Sequence, residues 1–370
     1  MKLRMLDLLI CPECQSTKQL KLEVYSEFKA NLVQENKAEV ETGVLTCSAC
    51  ERQYPIINGI PRMLPDNLIS NLLSYHSDFF QKYSIKLPKS ITDEVVQAKK
   101  RTLSSFSFQW NVFSEMYEVW EENFLDYVHP LQPDFFDGKL GLDAGCGFGR
   151  HLYYATKFGA DMVGLDLSEA VEAAYNNTKH LPNVHVVQGD IYNPPFREDT
   201  FDFIYSIGVL HHLPEPQAGF TSLTRFLKPN ATMFAWVYGP RYGISQKISV
   251  FLRKFTTKMD YRLLYAFCFS IALSLRTFSH LPYKVMRKIP GLKRIAEKLP
   301  IKEHHKYPFK VVVADAFDRL SVPLVNYYTA EQFRKWFDDA GLVDIKIIEK
   351  FRNNISWRGF GKKPSPDKRS

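Results

Sequence analysis

Residues 139–150 read Lys-Leu-Gly-Leu-Asp-Ala-Gly-Cys-Gly-Phe-Gly-Arg, an apolar run that leads into a glycine-rich turn. The run ending at Asp143 is predicted to be a buried strand, and a helix is predicted from Arg150 to Phe158. Glycines at such a turn let the backbone approach a ligand where the strand ends. A dinucleotide-binding loop would carry its third glycine at position 150, and a P-loop would continue as Gly-Lys-Ser/Thr. The G-x-G-x-G pattern therefore argues against both of these nucleotide loops.

Short apolar runs alternate with helical patterns after this turn, which indicates a parallel α/β sheet. Further strands are predicted at 162–166, 184–187, 201–206 and 232–238. A helix at 330–340 follows, and then two strands, 343–350 and 355–361. Asn353-Asn354 is predicted to join these last two strands as an antiparallel hairpin.

Three aspartates, Asp143, Asp166 and Asp190, stand at the ends of three successive predicted strands. Because the carboxyl ends of parallel strands meet at one edge of a sheet, these carboxylates are expected to line one rim. A carboxylate at position 166 suits two ribose hydroxyls, and Asp190 is placed to accept from an adenine amino group. Asp143 would lie near a positively charged end of the same ligand.

Residues 105–240 and 320–362 resemble the class I, seven-strand S-adenosylmethionine (SAM)-dependent methyltransferases. The string from Phe201 to Leu213 is typical of their ubiquinone/menaquinone-biosynthesis-like (type 11) branch. The resemblance implies a seven-strand doubly wound Rossmann-like methyltransferase sheet and SAM as cofactor. It assigns cofactor contacts to Asp143, Gly145, Gly147, Gly149, Asp166, Leu167, Asp190, Ile191 and Ser206.

Two histidines, His211 and His212, follow the fourth strand and are the candidate catalytic bases. A base is needed only if the acceptor must lose a proton, and histidine titrates near neutral pH. Tyr238 and Arg241, at the end of the fifth strand, are candidates to face the acceptor. A non-catalytic scaffold that binds SAM stays an alternative.

Asn193-Pro194-Pro195-Phe196 has the composition that amino-methyltransferases use to hold a target amine. In those enzymes the tetrapeptide ends the fourth strand, whereas here it precedes that strand. A proline-rich loop is therefore the preferred interpretation.

Four of the six cysteines form two tight pairs, Cys11–Cys14 and Cys47–Cys50. Two C-x-x-C pairs at this separation can supply four thiolates to one tetrahedral zinc ion, and a four-cysteine site is structural rather than catalytic. Residues 1–64 have a small core, so zinc would supply much of their stability. A ribbon that has lost its metal, or a redox pair, is the alternative.

The text around these cysteines resembles a small zinc-ribbon family whose members activate tRNA and release-factor methyltransferases. The matching stretches are Leu9-Ile10-Cys11-Pro12 and Tyr54 to Pro61. The resemblance implies a stabilising or docking role.

Aromatic residues are dense between Phe106 and Trp120, at approximately helical spacing. They are predicted to pack a helical cap onto the next domain. The alternative is that Phe108 or Trp110 closes over a bound ligand.

The net charge of +8 comes from one segment, because residues 241–310 hold 16 Lys and Arg against three acidic residues. Ile244 to Met259 is predicted as a basic amphipathic helix, and Leu263 to Leu275 is apolar on nearly every face. That 13-residue run is the longest in the chain and is shorter than a membrane span. Basic flanks around a short apolar helix suit a membrane surface or a lid over an apolar substrate.

The acceptor is accordingly expected to be a small hydrophobic or lipid-like molecule, with peripheral membrane contact through 241–310. A lid with a solvated basic face over any small molecule is one alternative. RNA, bound by the zinc ribbon and the basic segment, is the other. The N-terminus lacks a signal-peptide pattern, which favours the cytoplasm, including the inner face of the membrane.

The sequence thus predicts an α/β protein with an N-terminal zinc ribbon and a helical insertion. The predicted domains are a zinc ribbon (1–64), a helical cap (65–130), a methyltransferase domain (131–240 and 321–363), a basic acceptor lid (241–320) and a tail (364–370).

Overall fold

The computed structural model describes residues 1–28, 39–87, 94–240, 244–351 and 355–365. Within these residues, eleven strands form one continuous sheet. The strands are β1 (Lys21–Glu27), β2 (Val40–Thr46), β3 (Gln53–Ile57), β4 (Ile60–Met63), β5 (Leu140–Ala144), β6 (Asp161–Asp166), β7 (Val184–Gly189), β8 (Phe201–Ile207), β9 (Leu227–Tyr238), β10 (Val343–Phe351) and β11 (Ser356–Lys362). The order across the sheet is β1-β2-β3-β4-β7-β6-β5-β8-β9-β11-β10.

The seven strands from β5 to β11 confirm the predicted methyltransferase sheet. Strands β5 to β9 are mutually parallel, and β11 runs antiparallel to both β9 and β10. Strand β9 begins five residues before the predicted start because Pro229 and Asn230 lie in a bulge rather than in a preceding turn. Asn230 has a φ of 65°, which its short polar side chain tolerates. The hairpin turn at Asn353-Asn354 and the last five residues of the predicted tail lie outside the described residues.

The described helices are α1 (Ile69–Tyr75), α2 (Ser77–Lys82), α3 (Glu94–Val112), α4 (Val119–Val128), α5 (Arg150–Lys157), α6 (Ala170–Thr178), α7 (Pro216–Thr224), α8 (Ile244–Thr256), α9 (Tyr261–Leu275), α10 (Leu281–Met286), α11 (Lys293–Ala296), α12 (Phe309–Ser321) and α13 (Ala330–Asp339). Helices α4, α5 and α6 cover one face of the central sheet, and α7 and α13 cover the other. Alternate residues of β9 point into the two cores, since Phe234 and Trp236 pack on the first face and Met233 and Ala235 on the second.

The N-terminal strands extend the central sheet directly. Strands β1 to β4 form an antiparallel meander, and β4 then pairs in parallel with β7, with Arg62 opposite Gln188 and Met63 opposite Gly189. Parallel pairing of these two strands joins the backbone of the N-terminal region to the strand that precedes Asp190. A structural change in the N-terminal region can therefore reach that rim.

The segment between β9 and α13 forms a helical layer above the carboxyl edge of the sheet. Helix α12 packs Val312, Val313 and Phe317 against α9, which contributes a stripe of Leu264, Cys268 and Ala272. Helix α9 does not stop at Leu275, because a π-helical turn (Arg276–His280) carries it into α10.

The resulting 26-residue helix, Tyr261–Met286, has the length and composition of a membrane-crossing helix. The sequence-based expectation that no segment reaches spanning length is therefore wrong on length. The predicted apolar run ends just before Arg276, whereas the helix in the structure continues past this residue. Length and composition alone are weak support for a span.

Candidate functional site

One large cavity opens at the carboxyl edge of the central sheet. Its volume is about 500 Å³, and it runs from the glycine-rich turn after β5 to the inner face of α12. Helices α3 and α4 form one wall, while the residues after β8 and the end of β9 form another. The cavity therefore joins the predicted cofactor rim to the space beneath the helical layer.

The turn after β5 holds its glycines in backbone conformations that other residues rarely adopt. Gly145 has a φ of +91°, and a Cβ atom there would lie 2.3 Å from Val209. Gly147 has a φ of +53°, and a Cβ there would lie 3.4 Å from the Trp110 indole. The turn thus lets two other segments approach its backbone at the cavity wall.

Asp166 and Asp190 line the same cavity from the ends of β6 and β7. The Asp166 carboxylate accepts from the Gly147 amide at 2.9 Å and from the Ser168 amide and hydroxyl at 2.8 and 2.7 Å. Burial raises the pKa of Asp166, and these hydrogen bonds oppose that rise. Asp190 accepts from the Tyr192 amide at 3.1 Å. The rim is therefore pre-organised by backbone groups.

Asp143 lies beneath the turn rather than on the cavity wall. It is 1% exposed, and the Tyr205 hydroxyl is the side-chain donor beside its carboxylate. Burial, followed by the charge of Asp166, raises its pKa well above the usual range, and Tyr205 and Arg150 oppose that rise. A nearby cationic ligand group would also favour the ionised carboxylate, which is the role that the sequence predicts for Asp143.

The structure brings most of the predicted cofactor residues together. Those that line the cavity are Gly145, Gly147, Asp166, Leu167, Asp190 and Ile191. Asp143, Gly149 and Ser206 lie behind the wall. Ser206 is fully buried and donates to the Ala144 carbonyl at 2.8 Å, so it ties β8 to β5. A direct cofactor contact by Ser206 stays a prediction.

The two candidate bases have different surroundings. His212 lines the cavity, and its Nδ1 lies 2.8 Å from the Leu324 carbonyl. A proton on Nδ1 would leave Nε2 as an acceptor. Burial lowers the pKa of His212 to about 4, so the ring is neutral at physiological pH. His211 is fully buried behind it, and its ring centroid lies 4.1 Å from that of Tyr238, with the two rings tilted by 44°. A packing role fits His211.

Several cavity residues come from segments that the sequence analysis treated only as cap or lid. Asp318 on α12 and Gln109 on α3 line the cavity, with the Gln109 Nε2 3.4 Å from an Asp318 oxygen. Burial, with the charge of Asp315, raises the pKa of Asp318 to about 6. Asp315 itself pairs with Arg319 at 2.9 Å. The helical spacing 311, 314, 315 and 318 on α12 is the signal that could have identified this face.

Aromatic side chains line another part of the cavity. Tyr238 and Trp236 reach the cavity from β9, as predicted for Tyr238, while Arg241 lies outside the described residues. Trp110 covers the glycine turn, whereas Phe108 stacks 5.4 Å from both Tyr261 and Phe317 in the helical layer. Of the two aromatics named as possible ligand contacts, Trp110 therefore borders the site, and Phe108 packs in the helical layer.

The Asn193–Phe196 loop follows the cavity-lining Asp190 and Ile191 but does not itself line the cavity. The Ile10 amide donates to the Pro195 carbonyl at 3.0 Å, and Leu9 forms a β-bridge with Phe196. The Arg197 guanidinium donates to carbonyls of Asp7 and Thr17. These contacts attach the loop to the N-terminal domain, in agreement with its interpretation as a structural loop.

The four cysteines of the N-terminal region come together as predicted. The sulfurs of Cys11, Cys14, Cys47 and Cys50 all lie within 4.8 Å of one another. The Tyr54 hydroxyl lies 3.1 Å from the Cys11 sulfur, beside the cluster. A second group, His76, Glu169 and Glu172, is similarly close, but the Arg62 guanidinium bonds both of its carboxylates. That second group is an ion-pair network rather than a metal centre.

Comparisons with known proteins agree with both halves of this architecture. Residues 142–235 match the family described as a methyltransferase domain, and residues 2–59 match the Trm112p-like protein family. The chain therefore carries a Trm112-like domain and a methyltransferase domain in one polypeptide.

Among its curated relatives, the chain is similar to a sterol 24-C-methyltransferase of Schizosaccharomyces pombe, with 31% identity covering 34% of each chain. It is also similar to the demethylmenaquinone methyltransferase of Staphylococcus haemolyticus, with 33% identity over 32% of this chain and 50% of that protein. The chain spans between a third and a half of the length of these two relatives.

A solved Haloferax volcanii complex of the Trm112 methyltransferase activator with a methyltransferase aligns at a TM-score of 0.39 and 17% identity, covering 75% of this chain and 100% of that chain.

Proposed function

We propose that this protein transfers a methyl group from SAM to a small, hydrophobic or lipid-like acceptor. One observation carries the proposal: a single cavity of about 500 Å³ joins the Asp166–Asp190 rim to an aromatic chamber under α12. A donor and an acceptor bound next to each other in one cavity can be aligned for in-line transfer.

The donor side suits SAM, which would supply the activated methyl on its sulfonium. Asp166 is held by three short hydrogen bonds at the rim, where its carboxylate can accept from ribose hydroxyls. Asp190 and Ile191 border the next part of the cavity, as expected for an adenine edge. Asp143 lies beneath the turn, where a cationic group of the donor would favour its ionised form.

The acceptor side combines aromatic surface with polar and charged side chains. Trp110, Phe113, Trp236 and Tyr238 supply aromatic surface, and Asp318 and His212 supply groups that can accept a proton. This composition supports a hydrophobic molecule that carries a hydroxyl or amine. The relatives are named for sterol and demethylmenaquinone substrates, both small molecules.

Labelled SAM incubated with the protein and a host-cell lysate tests this proposal. Organic, RNA, protein and water-soluble fractions would then be counted separately. Label in the organic fraction is expected. Label in RNA would favour the nucleic-acid alternative, and bound SAM without any labelled product would favour a non-catalytic scaffold.

Asp318→Asn is expected to remove a rise in transfer rate with pH. The pKa of Asp318 is raised to about 6, so the carboxylate form, which can take a proton, appears as pH increases through that value. His212, with a pKa of about 4, stays neutral from about pH 5 to 8. His212→Gln should therefore lower the rate without moving the pH profile. The measurement is methyl transfer into an organic extract of the lysate at a series of pH values.

Asp344→Asn, on an exposed pair with Lys362, serves as the control for charge loss. A wild-type rate that is flat across pH 6, or an Asp318→Asn rate that still rises there, would reject Asp318 as the base.

We further propose that Cys11, Cys14, Cys47 and Cys50 hold one structural zinc ion. Four clustered thiols fit its tetrahedral geometry and fill all its positions, so the metal would stabilise the N-terminal domain and take no part in transfer. Cysteines stay reduced in the cytosol, which supports a cytoplasmic location as part of this proposal.

Zinc removal is expected to unfold the N-terminal domain while leaving measurable SAM binding. The metal would tie the two cysteine loops of this domain together, whereas the rim residues belong to the central sheet. Hydrogen exchange with and without chelator, with calorimetry of SAM binding, measures both effects. Cys47→Ser should lose the metal, and Cys268→Ala, on α9 and outside the cluster, should retain it. Purified protein without zinc would contradict the assignment.

A further inference from the structure

The helical layer carries an unusual concentration of exposed apolar side chains. Of the 18 large hydrophobic side chains that are exposed in the described part of the chain, 13 lie between Ile248 and Ile295. They include Phe251 and Phe255, one helical turn apart on α8, and Phe278, which is 75% exposed. Soluble proteins seldom leave so much apolar surface together without a partner.

Basic residues share this surface. Residues 248–300 contain 11 Lys and Arg but only two acidic residues, Asp260 and Glu297. Both acids have internal partners, since Asp260 caps α9 through the Arg262 amide at 2.9 Å and Glu297 pairs with Lys302 at 2.5 Å. Among the cations, Lys254, Lys258, Lys284 and Lys288 are exposed. The surface is both apolar and strongly positive.

We infer that the outer face of residues 248–298 docks on an anionic lipid bilayer. Apolar side chains that enter the acyl boundary, together with cations that meet lipid phosphates, are the two contributions that hold a protein on such a membrane. A second copy of this chain would bring like charges together, which makes self-association a poor match. RNA would satisfy the cations but leave phenylalanine and leucine side chains without apolar partners.

The docking is peripheral because α9 is part of the folded layer. Its stripe of Leu264, Cys268 and Ala272 is buried against α12 and α3. Leu263 and Phe267, on one side of that stripe, and Leu273, on the other, are exposed. Withdrawing the helix to cross a bilayer would break this core, whereas lying on the surface would keep it intact.

The surface stands one helix away from the acceptor chamber. Val311, Ala314 and Asp318 of α12 line the cavity, and Val312, Val313 and Phe317 on its other face pack on α9. A bilayer on the outer face would thus bring a lipid-soluble acceptor close to the chamber. This last link rests on the proposed function, while membrane docking itself does not require methyl transfer.

Sedimentation of the full chain with lipid vesicles tests the inference. Binding is expected to vesicles of phosphatidylcholine with phosphatidylglycerol, to be weak with phosphatidylcholine alone, and to fall at high salt. The triple variant Phe251→Ser, Phe255→Ser and Phe278→Ser should weaken binding about tenfold or more. The variant Lys254→Gln, Lys284→Gln and Lys288→Gln should lose the preference for anionic lipid.

The matched control is Leu3→Ser, Leu73→Ser and Val343→Ser, which removes three exposed apolar side chains elsewhere and should leave binding unchanged. Equal binding by the phenylalanine variant would overturn the inference. So would a concentration-dependent dimer that this variant abolishes, or RNA binding without vesicle binding. If alkaline carbonate does not extract the membrane-bound protein, the result would indicate insertion into the bilayer instead of docking on its surface. Calorimetry of SAM binding on the same samples separates these outcomes from failure of the proposed function.

Discussion

Asp166→Ala is expected to weaken SAM binding at least tenfold, a loss of ~1.4 kcal/mol or more. The variant removes a carboxylate placed for two ribose hydroxyls and also the acceptor for the Gly147 amide and the Ser168 amide and hydroxyl. Hydrogen bonds to a charged group contribute more than neutral ones, so both losses act in the same direction. Isothermal calorimetry with SAM measures the change directly.

Two further variants separate ligand contact from damage to the turn. Asp166→Asn keeps one carbonyl oxygen for the backbone but lacks the charge, so its affinity should fall between those of wild type and the alanine variant. Asp202→Ala is the control, because Asp202 accepts from the Leu140 amide at 2.9 Å at the other end of the sheet and pairs with Lys228. It should lower thermal stability without changing affinity for SAM. Unchanged affinity in Asp166→Ala would reject the ribose assignment.

The strands of the central sheet could be predicted from the sequence because the pattern that defines each strand lies within a few consecutive residues. Each parallel strand is a short apolar run, and the acids at 143, 166 and 190 mark where three of the strands end. The strand order then follows from the family resemblance, which also assigns the six predicted cofactor contacts that line the cavity. Ser206 shows the limit of this reasoning, since its position at a strand end is correct while its hydroxyl turns inward to the Ala144 carbonyl.

The acceptor side could not be predicted residue by residue. Gln109 and Asp318 are far apart in the chain and meet only through packing of α3 and α12 over the end of β9, whereas Tyr238 could be named from its place at the end of a predicted strand. From the sequence alone, an aspartate within a helix, such as Asp318, is predicted to be exposed to solvent. Burial in the cavity raises the pKa of Asp318, with a smaller contribution from the charge of Asp315 one helical turn away, and that burial depends on tertiary packing rather than on local pattern.

The junction of the two domains, where β4 pairs with β7, could likewise not be predicted from the sequence. The sequence predicts residues 60–63 only as the end of a zinc ribbon. No pattern within these residues indicates that they pair with β7. The pairing places Arg62 inside the protein, at 1% exposure. Its Nη1 donates to the Gln188 side chain at 2.9 Å and to Glu169 at 3.2 Å, and its Nη2 donates to Glu172.

Arg62→Met is expected to lower the free energy of unfolding by about 3–5 kcal/mol, the range for removing one partner of a buried ion pair. Methionine approximates the volume of the arginine stem, so the loss comes chiefly from the carboxylates of Glu169 and Glu172, which would be left without their cation. Gln188, which also donates to the Leu167 carbonyl at 3.2 Å, would lose a partner beside the cofactor rim. Chemical denaturation of the full chain measures the effect. Arg334→Met, on an exposed pair with Asp338, should cost far less.

The effect of Arg62→Met should also depend on pH. Burial favours the protonated form of Glu169, but hydrogen bonds from His76 and Gln188 and the charge of Arg62 outweigh it, so the pKa of Glu169 is lowered. A lowered carboxyl pKa stabilises the fold above the unfolded value of about 4.3, and that stabilisation is lost as pH falls through the folded value. The stability difference between wild type and Arg62→Met should therefore be largest near neutral pH and shrink as the solution is acidified below about pH 4.3. A difference that is independent of pH, or no larger than that of Arg334→Met, would show that the junction is held by strand pairing and apolar contacts instead of by this buried network.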